Sequence, residues 1–219
     1  MDNSKLILFM GDSLTDCKRD REDDRSLGYG FASMVAGSLA VSEPGRYRFL
    51  NRGIGGNRID DLIGRMIPDV IAHKPDYMSI TVGANDFSGD YFNGNHLRIE
   101  KFEKLYSVLI EECLEEVPGL KIMLIAPFIH QHKGLENDYG HLPYFSTQSV
   151  RKSMDEYAAA VSRVAEKYSL PCMQLQSKFD EALKDAPVEY WSLDGWHPTS
   201  MGHGIIHREW LKLFEEMKD

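Results

Sequence analysis

The 219-residue chain predicts an α/β fold: a parallel sheet of about five strands with helices on both faces. Three observations predict it. Short, nearly unbroken apolar runs recur, as strands buried on both faces of a parallel sheet require. Segments with apolar residues at helical spacing separate these runs, giving the strand–helix alternation of βαβ crossovers. Each of the first three runs ends in a turn of glycine and polar residues, the place where open α/β sheets bind ligands. No composition break marks a linker, so residues 1–219 read as a single domain.

Taken in order, Leu6-Ile7-Leu8-Phe9-Met10 is the first strand, and Gly11-Asp12-Ser13 follows at its carboxyl end. Residues 18–25 carry both signs of charge without an apolar period and read as a solvated loop. Phe31, Met34, Val35 and Leu39 recur at helical spacing within a helix at 28–39, and Pro44-Gly45 turns the chain. A second strand at 47–50 runs into Asn51-Arg52-Gly53-Ile54-Gly55-Gly56-Asn57, whose glycines mark unusual dihedrals or a close approach. Ile59, Leu62, Ile63, Met66 and Val70 share one helical face, so this loop opens a helix, where unpaired backbone N–H groups collect. The third strand, 77–82, precedes Gly83-Ala84-Asn85-Asp86. The clearest amphipathic helix covers 99–114, Pro118-Gly119 ends it, and a fourth strand occupies 121–126. Residues 130–147 lack a period and read as an irregular loop. A helix at 150–168, a short strand at 171–175, a helix at 179–183 and a last helix at 200–217 complete the chain. The first three strand ends are expected along one edge of the sheet.

Composition narrows the partners. A net charge of −9 disfavours nucleic acid and anionic membrane surfaces, because phosphate binding is driven by clustered lysine and arginine. The amino terminus has no basic n-region, and no apolar run reaches membrane-spanning length. Cys17, Cys113 and Cys172 are odd in number and widely spaced, so reduced thiols in a cytoplasm are the expectation.

Ser13 is a candidate nucleophile, and a serine hydroxyl needs a base to take its proton and a group to orient that base. Asp194-Gly195-Trp196-His197-Pro198 offers both: His197 as base, and Asp194 three residues before it, within reach of its Nδ1–H. Candidate oxyanion donors are the backbone N–H of Ser13, the backbone N–H of Gly56 and the side-chain amide of Asn85, which donates without carrying charge. Together these groups suffice for acyl transfer.

Gly11-Asp12-Ser13-Leu14, the glycines of residues 51–56, Gly83-Ala84-Asn85-Asp86 and Asp194-Gly195-Trp196-His197 resemble, in order and spacing, the four blocks of the GDSL or SGNH hydrolase family. The resemblance implies a three-layer α/β/α sandwich, flavodoxin-like. It carries the family's serine, glycine, asparagine and histidine onto Ser13, Gly56, Asn85 and His197, with Asp194 as the acid and Gly55 as the alternative to Gly56. The opening block, residues 69–76 and the absence of a signal further resemble intracellular carbohydrate acetylesterases, including those acting on xylan oligosaccharides. A lengthened 134–146 loop departs from them.

The expected activity is hydrolysis of short-chain acyl esters of carbohydrates, with an acetylated oligosaccharide or other small ester as substrate, no cofactor and no metal. A homo-oligomer is compatible with this reading. The competing functions are a lysophospholipase or thioesterase of the same family and a catalytically silent carbohydrate-binding module. Asp12, Trp191 and Trp196 are candidate substrate contacts, although Asp12 also suits a structural turn and both tryptophans also suit packing under the catalytic loop. Asp86 reads as a turn or cap residue, His130-Gln131-His132 as a solvated loop rather than a metal site, and His203 and His207 as structural or surface groups. Tyr139, Tyr144 and Phe145 are open between a substrate wall and a subunit contact.

Overall fold

A computed structural model describes residues 4–93 and 98–218. Five parallel strands form one sheet in the order β2-β1-β3-β4-β5: β1 (Lys5–Gly11), β2 (Tyr47–Gly53), β3 (Tyr77–Thr81), β4 (Lys121–Ile125) and β5 (Cys172–Met173). This is the flavodoxin-like order, whose switch point lies between β1 and β3. Phe9 stands beside Asn51 and Ser79, and Gly11 beside Gly53 and Thr81, so three strands end level at one edge.

Alternation along β1 builds two cores. Leu6, Leu8 and Met10 face one side with Met78, Ile80, Ile122 and Leu124, under α3 (Ile59–Asp69), α4 (Ala84–Asn93), α5 (Ile99–Glu116) and α7 (Thr147–Lys167). Ile7 and Phe9 face the other with Met123 and Ile125, under α2 (Phe31–Ser42), α8 (Leu175–Ala182) and α10 (Ser200–Met217), the last preceded by the short α9 (Val188–Trp191). Every strand residue from Leu6 to Met10 is fully buried, and that burial explains the unbroken apolar run.

Four expectations need correction. Residues 130–147 contain a helix, α6 (Lys133–Tyr139), begun where the His132 ring nitrogen accepts the Gly134 amide; its single buried apolar residue, Leu135, leaves no periodicity to read. The turn read at residues 83–86 runs directly into a helix, α4, which the sequence reading did not include. Residues 18–25 are not simply solvated: Arg19 is buried and its Nε donates to the Gly53 carbonyl at 2.9 Å. His130 is likewise buried, packed edge-on against Phe179, and burial pushes its pKa down to about 4.

Candidate active site

The chain leaves β1 through a crowded passage. A Cβ on Gly11 would lie 2.4 Å from Thr15 Oγ1 and 2.6 Å from the Thr81 carbonyl, so only glycine lets the turn fold back on itself. Asp12 caps the short helix α1 (Ser13–Asp16), its Oδ1 accepting the Leu14 amide at 3.0 Å while its carbonyl accepts the Thr15 and Asp16 amides. It is 3% exposed, and burial outweighs the Leu14 hydrogen bond to raise its pKa to about 6. Its carboxylate serves the turn, and the residue also borders the cavity beside Ser13. Ser13 takes the first helical position, and its backbone N–H has no partner among the described residues.

The base comes from a loop closed on itself. Ser192 and Pro198 form an antiparallel bridge, the Leu193 amide donates to the His197 carbonyl at 2.8 Å, and Gly195 turns at φ +103°. Asp194 Oδ1 accepts the Trp196 and His197 amides, each at 2.8 Å, and Asp194 Oδ2 lies 2.7 Å from His197 Nδ1. His197 Nε2 lies 3.0 Å from Ser13 Oγ, across 184 positions of sequence. With the Nδ1 proton on the Asp194 side, Nε2 is free to accept from the hydroxyl. Burial acts to raise the Asp194 pKa, but the His197 ring and the two amides outweigh it and hold the carboxyl at about 2. The same ring hydrogen bond raises His197, against burial.

The glycine loop presents its amides unequally. The Gly55 N–H donates to Asp16 Oδ2 at 2.9 Å, whereas the Gly56 N–H has no partner among the described residues, in a backbone turned to φ +84°. Asn85 Nδ2 donates to the Asn57 carbonyl at 3.0 Å, which fixes the amide plane and leaves its second N–H available.

Sequence reasoning missed the side chains that set these loops. Arg65, on α3, donates from Nη2 to the Gly11 carbonyl at 3.0 Å, from Nη1 to the Arg52 carbonyl at 2.7 Å and from Nε to Asn57 Oδ1 at 2.7 Å. One guanidinium therefore joins the ends of β1 and β2 to the glycine loop, and an ion pair to Asp69 at 2.6 Å holds it. Asp86 Oδ1 accepts the Ile59 amide at 3.1 Å, capping α3 from the neighbouring helix, and burial raises its pKa to about 7. The cap reading of Asp86 is thus met across 27 residues rather than within its own turn. No periodicity signals such contacts, since they join separate elements.

A cavity of about 190 Å³ lies beside Ser13, bounded by Asn85, Ser88, Phe128, Tyr139, Trp196 and His197. Trp196 is part of this wall, backed by Phe87 and Phe92, and Tyr139 joins it, stacked on Phe92 with centroids 3.8 Å apart. Trp191 is not in the wall: its indole N–H donates to the Ala182 and Ala186 carbonyls and its ring packs on the α10 side of the sheet, the packing alternative for this residue. His203 is structural, accepting the Phe31 amide at Nδ1. His207 Nε2 lies 2.8 Å from Ser38 Oγ, between α10 and α2. Among the described residues there is no group of three or more His, Cys, Asp and Glu placed to hold a metal, and no helix long and apolar enough to cross a membrane.

The family model of GDSL-like lipases and acylhydrolases matches residues 9–205. An acetylxylan esterase of Geobacillus stearothermophilus is 34% identical over 96% of this chain and 94% of its own. Its crystal structure, as Axe2, superposes with a TM-score of 0.80 at 32% identity, covering 97% of this chain and 95% of that one; a serine variant and an aspartate variant of Axe2 are each described as catalytic mutants. The hydrolase LAE5, from the metagenome of Lake Arreo, superposes with a TM-score of 0.83 at 25% identity, covering 100% of this chain and 99% of that one. A serine, histidine and aspartate in hydrogen-bonded series at the switch point of such a sheet, within a family match spanning most of the sequence, place this chain in the GDSL-like lipase/acylhydrolase family.

Proposed function

We propose that this protein is a serine esterase that removes acetyl groups from carbohydrate esters through an acyl-enzyme on Ser13. The observation that carries the reading is the series Ser13 Oγ, His197 Nε2, His197 Nδ1, Asp194 Oδ2, with separations of 3.0 Å and 2.7 Å at its two hydrogen bonds. Ser13 Oγ attacks the ester carbonyl carbon as its proton passes to His197 Nε2. Asp194 stabilises the imidazolium that forms, and that proton then goes to the departing alcohol oxygen. Water repeats the sequence on the acyl-enzyme and releases acetate and free Ser13.

The tetrahedral oxyanion lies toward the unpartnered amides of Ser13 and Gly56 and the free N–H of Asn85. A preference for acetyl is supported by the size of the cavity beside Ser13, about 190 Å³ and below the range of about 300–1,000 Å³ typical of sites for larger ligands. The carbohydrate part is supported by the similarity to acetylxylan esterase.

The test is a hydrolysis screen over acetylated xylo-oligosaccharides, cello-oligosaccharides and monosaccharides, beside acetyl to octanoyl 4-nitrophenyl esters, with Ser13→Ala as blank. Acetate release from a saccharide and rates that fall with acyl length are expected, with Ser13→Ala lower by several orders of magnitude. Rates that rise toward octanoyl would assign a lipid or thioester substrate instead. Saccharide binding without hydrolysis would make the protein a binding module.

A further inference from the structure

Ser13 and His197 stand between two cavities. Besides the small one, a groove of about 870 Å³ opens from the same two side chains and is lined by Cys17, Tyr29, Leu193 and Met201. Its volume lies within the range of about 300–1,000 Å³ that takes sizeable ligands. The floor is rigid. Cys17 and Lys18 both have left-handed backbones, at φ 38° and 58°, a conformation that non-glycine residues hold only where their surroundings enforce it. Here the enforcement is visible: the Tyr29 amide donates to the Cys17 carbonyl at 3.0 Å, and Cys17 Sγ meets His203 Nε2 at 3.5 Å. His203 Nδ1 accepts a backbone amide and burial lowers its pKa to about 4, so the ring stays neutral with its proton at Nε2.

Tyr29 is held as firmly at its backbone as it is free at its ring. It sits between Gly28 and Gly30, where an added Cβ would come within 2.6 Å of the Asp16 carbonyl and 2.8 Å of the His203 ring, respectively. Yet the residue is 75% exposed, and among the described residues its ring has no aromatic partner and its hydroxyl no hydrogen bond. Folding therefore fixes where this ring starts and leaves most of it exposed. Leu193 and Met201 are exposed apolar neighbours in the same groove, and the cations Lys18 and Arg21 border it. An exposed aromatic face with apolar neighbours and polar donors at the edge matches a pyranose ring, which offers a C–H face and a rim of hydroxyls.

We propose that this groove binds the sugar chain on the alcohol side of the scissile ester, with Tyr29 as the ring on which a sugar unit stacks. The proposal rests on the esterase reading and extends it, because a groove that continues past Ser13 favours an oligosaccharide over an acetylated monosaccharide. It also places the departing sugar oxygen beside His197, the group that must protonate it.

The experiment compares kcat/KM for monoacetylated xylotriose with kcat/KM for ethyl acetate in the wild type, Tyr29→Ala and Tyr29→Phe. The saccharide-to-ethyl-acetate ratio should fall about tenfold in Tyr29→Ala, through KM, and be retained in Tyr29→Phe, which keeps the stacking face. A ratio unchanged in Tyr29→Ala would overturn the assignment. So would an unchanged ratio together with loss of a sedimenting oligomer, which would make the groove a contact between copies of the chain. Wild-type protein that cleaves ethyl acetate and no acetylated saccharide would overturn the carbohydrate reading and the groove with it, whereas saccharide cleavage indifferent to Tyr29 overturns the groove alone.

Discussion

The Asp16 carboxylate accepts the amide of Gly55 at 2.9 Å, and this bond separates two adjacent glycines that look alike in sequence. With the Gly55 N–H engaged, the neighbouring Gly56 N–H is the one of the two without a partner among the described residues. Asp16 itself is tied to Arg21, so the loop hangs from a carboxylate three residues past the nucleophile.

Asp16→Ala removes the acceptor and lets the donor loop move relative to Ser13. Turnover of a short acyl ester should fall about ten- to a hundredfold, the scale of an ångström-sized misplacement, with little change in KM. Asp16→Asn keeps an acceptor oxygen and should lose less. Steady-state kinetics on the three proteins decides it, and equal turnover in all three would refute the positioning role.

Arg65 is expected to matter as much to activity as to stability. A lysine at this place supplies one compact charge where the guanidinium reaches the Gly11 carbonyl, the Arg52 carbonyl and Asn57 together. Arg65→Lys strands buried acceptors at a cost of roughly 2 kcal/mol, a fall in Tm of about 4–8 °C for a chain of this size. Turnover should drop about tenfold or more even at temperatures where the variant is fully folded. Thermal unfolding measured beside kcat would show both losses, and wild-type kcat in a folded variant would contradict the prediction.

The pH profile follows from the pair Asp194 and His197. Catalysis needs the neutral imidazole, and the Asp194 hydrogen bond holds the His197 pKa above its ordinary 6.5. As pH falls through that raised value the base is protonated, so the acidic limb of kcat/KM should lie above 6.5. Asp194→Asn removes the carboxylate that raises His197 while burial, which lowers it, remains. Its acidic limb should move to lower pH as turnover falls on the order of 10²–10⁴-fold. A limb in the same place in both proteins would assign the titration to another group. Asp12, raised to about 6, is the group that result would implicate.

The elements most legible in the sequence were those whose burial is repeated along the chain. The run from Leu6 to Met10 has both faces covered, and the 99–114 segment keeps one face on the core inside α5, so strand and helix could be read from spacing alone. Helix α6 escaped because one buried leucine makes no period. Trp191 and Trp196 flank the same aspartate in sequence, yet one packs under α10 and the other walls the cavity, a division no local pattern records.

By itself the sequence determined the strand and helix order, the chemical groups needed for acyl transfer and their distribution over four separate segments. Those are properties of residue type and spacing. Only the tertiary structure decided that Ser13 Oγ lies 3.0 Å from His197 Nε2, that Gly55 rather than Gly56 spends its amide on Asp16, and that Arg65 fastens the loops. The physical reason is range. Periodicity reports whether a residue faces core or solvent, while a hydrogen bond between chain segments 184 residues apart exists only after the sheet order has brought their ends to a common edge.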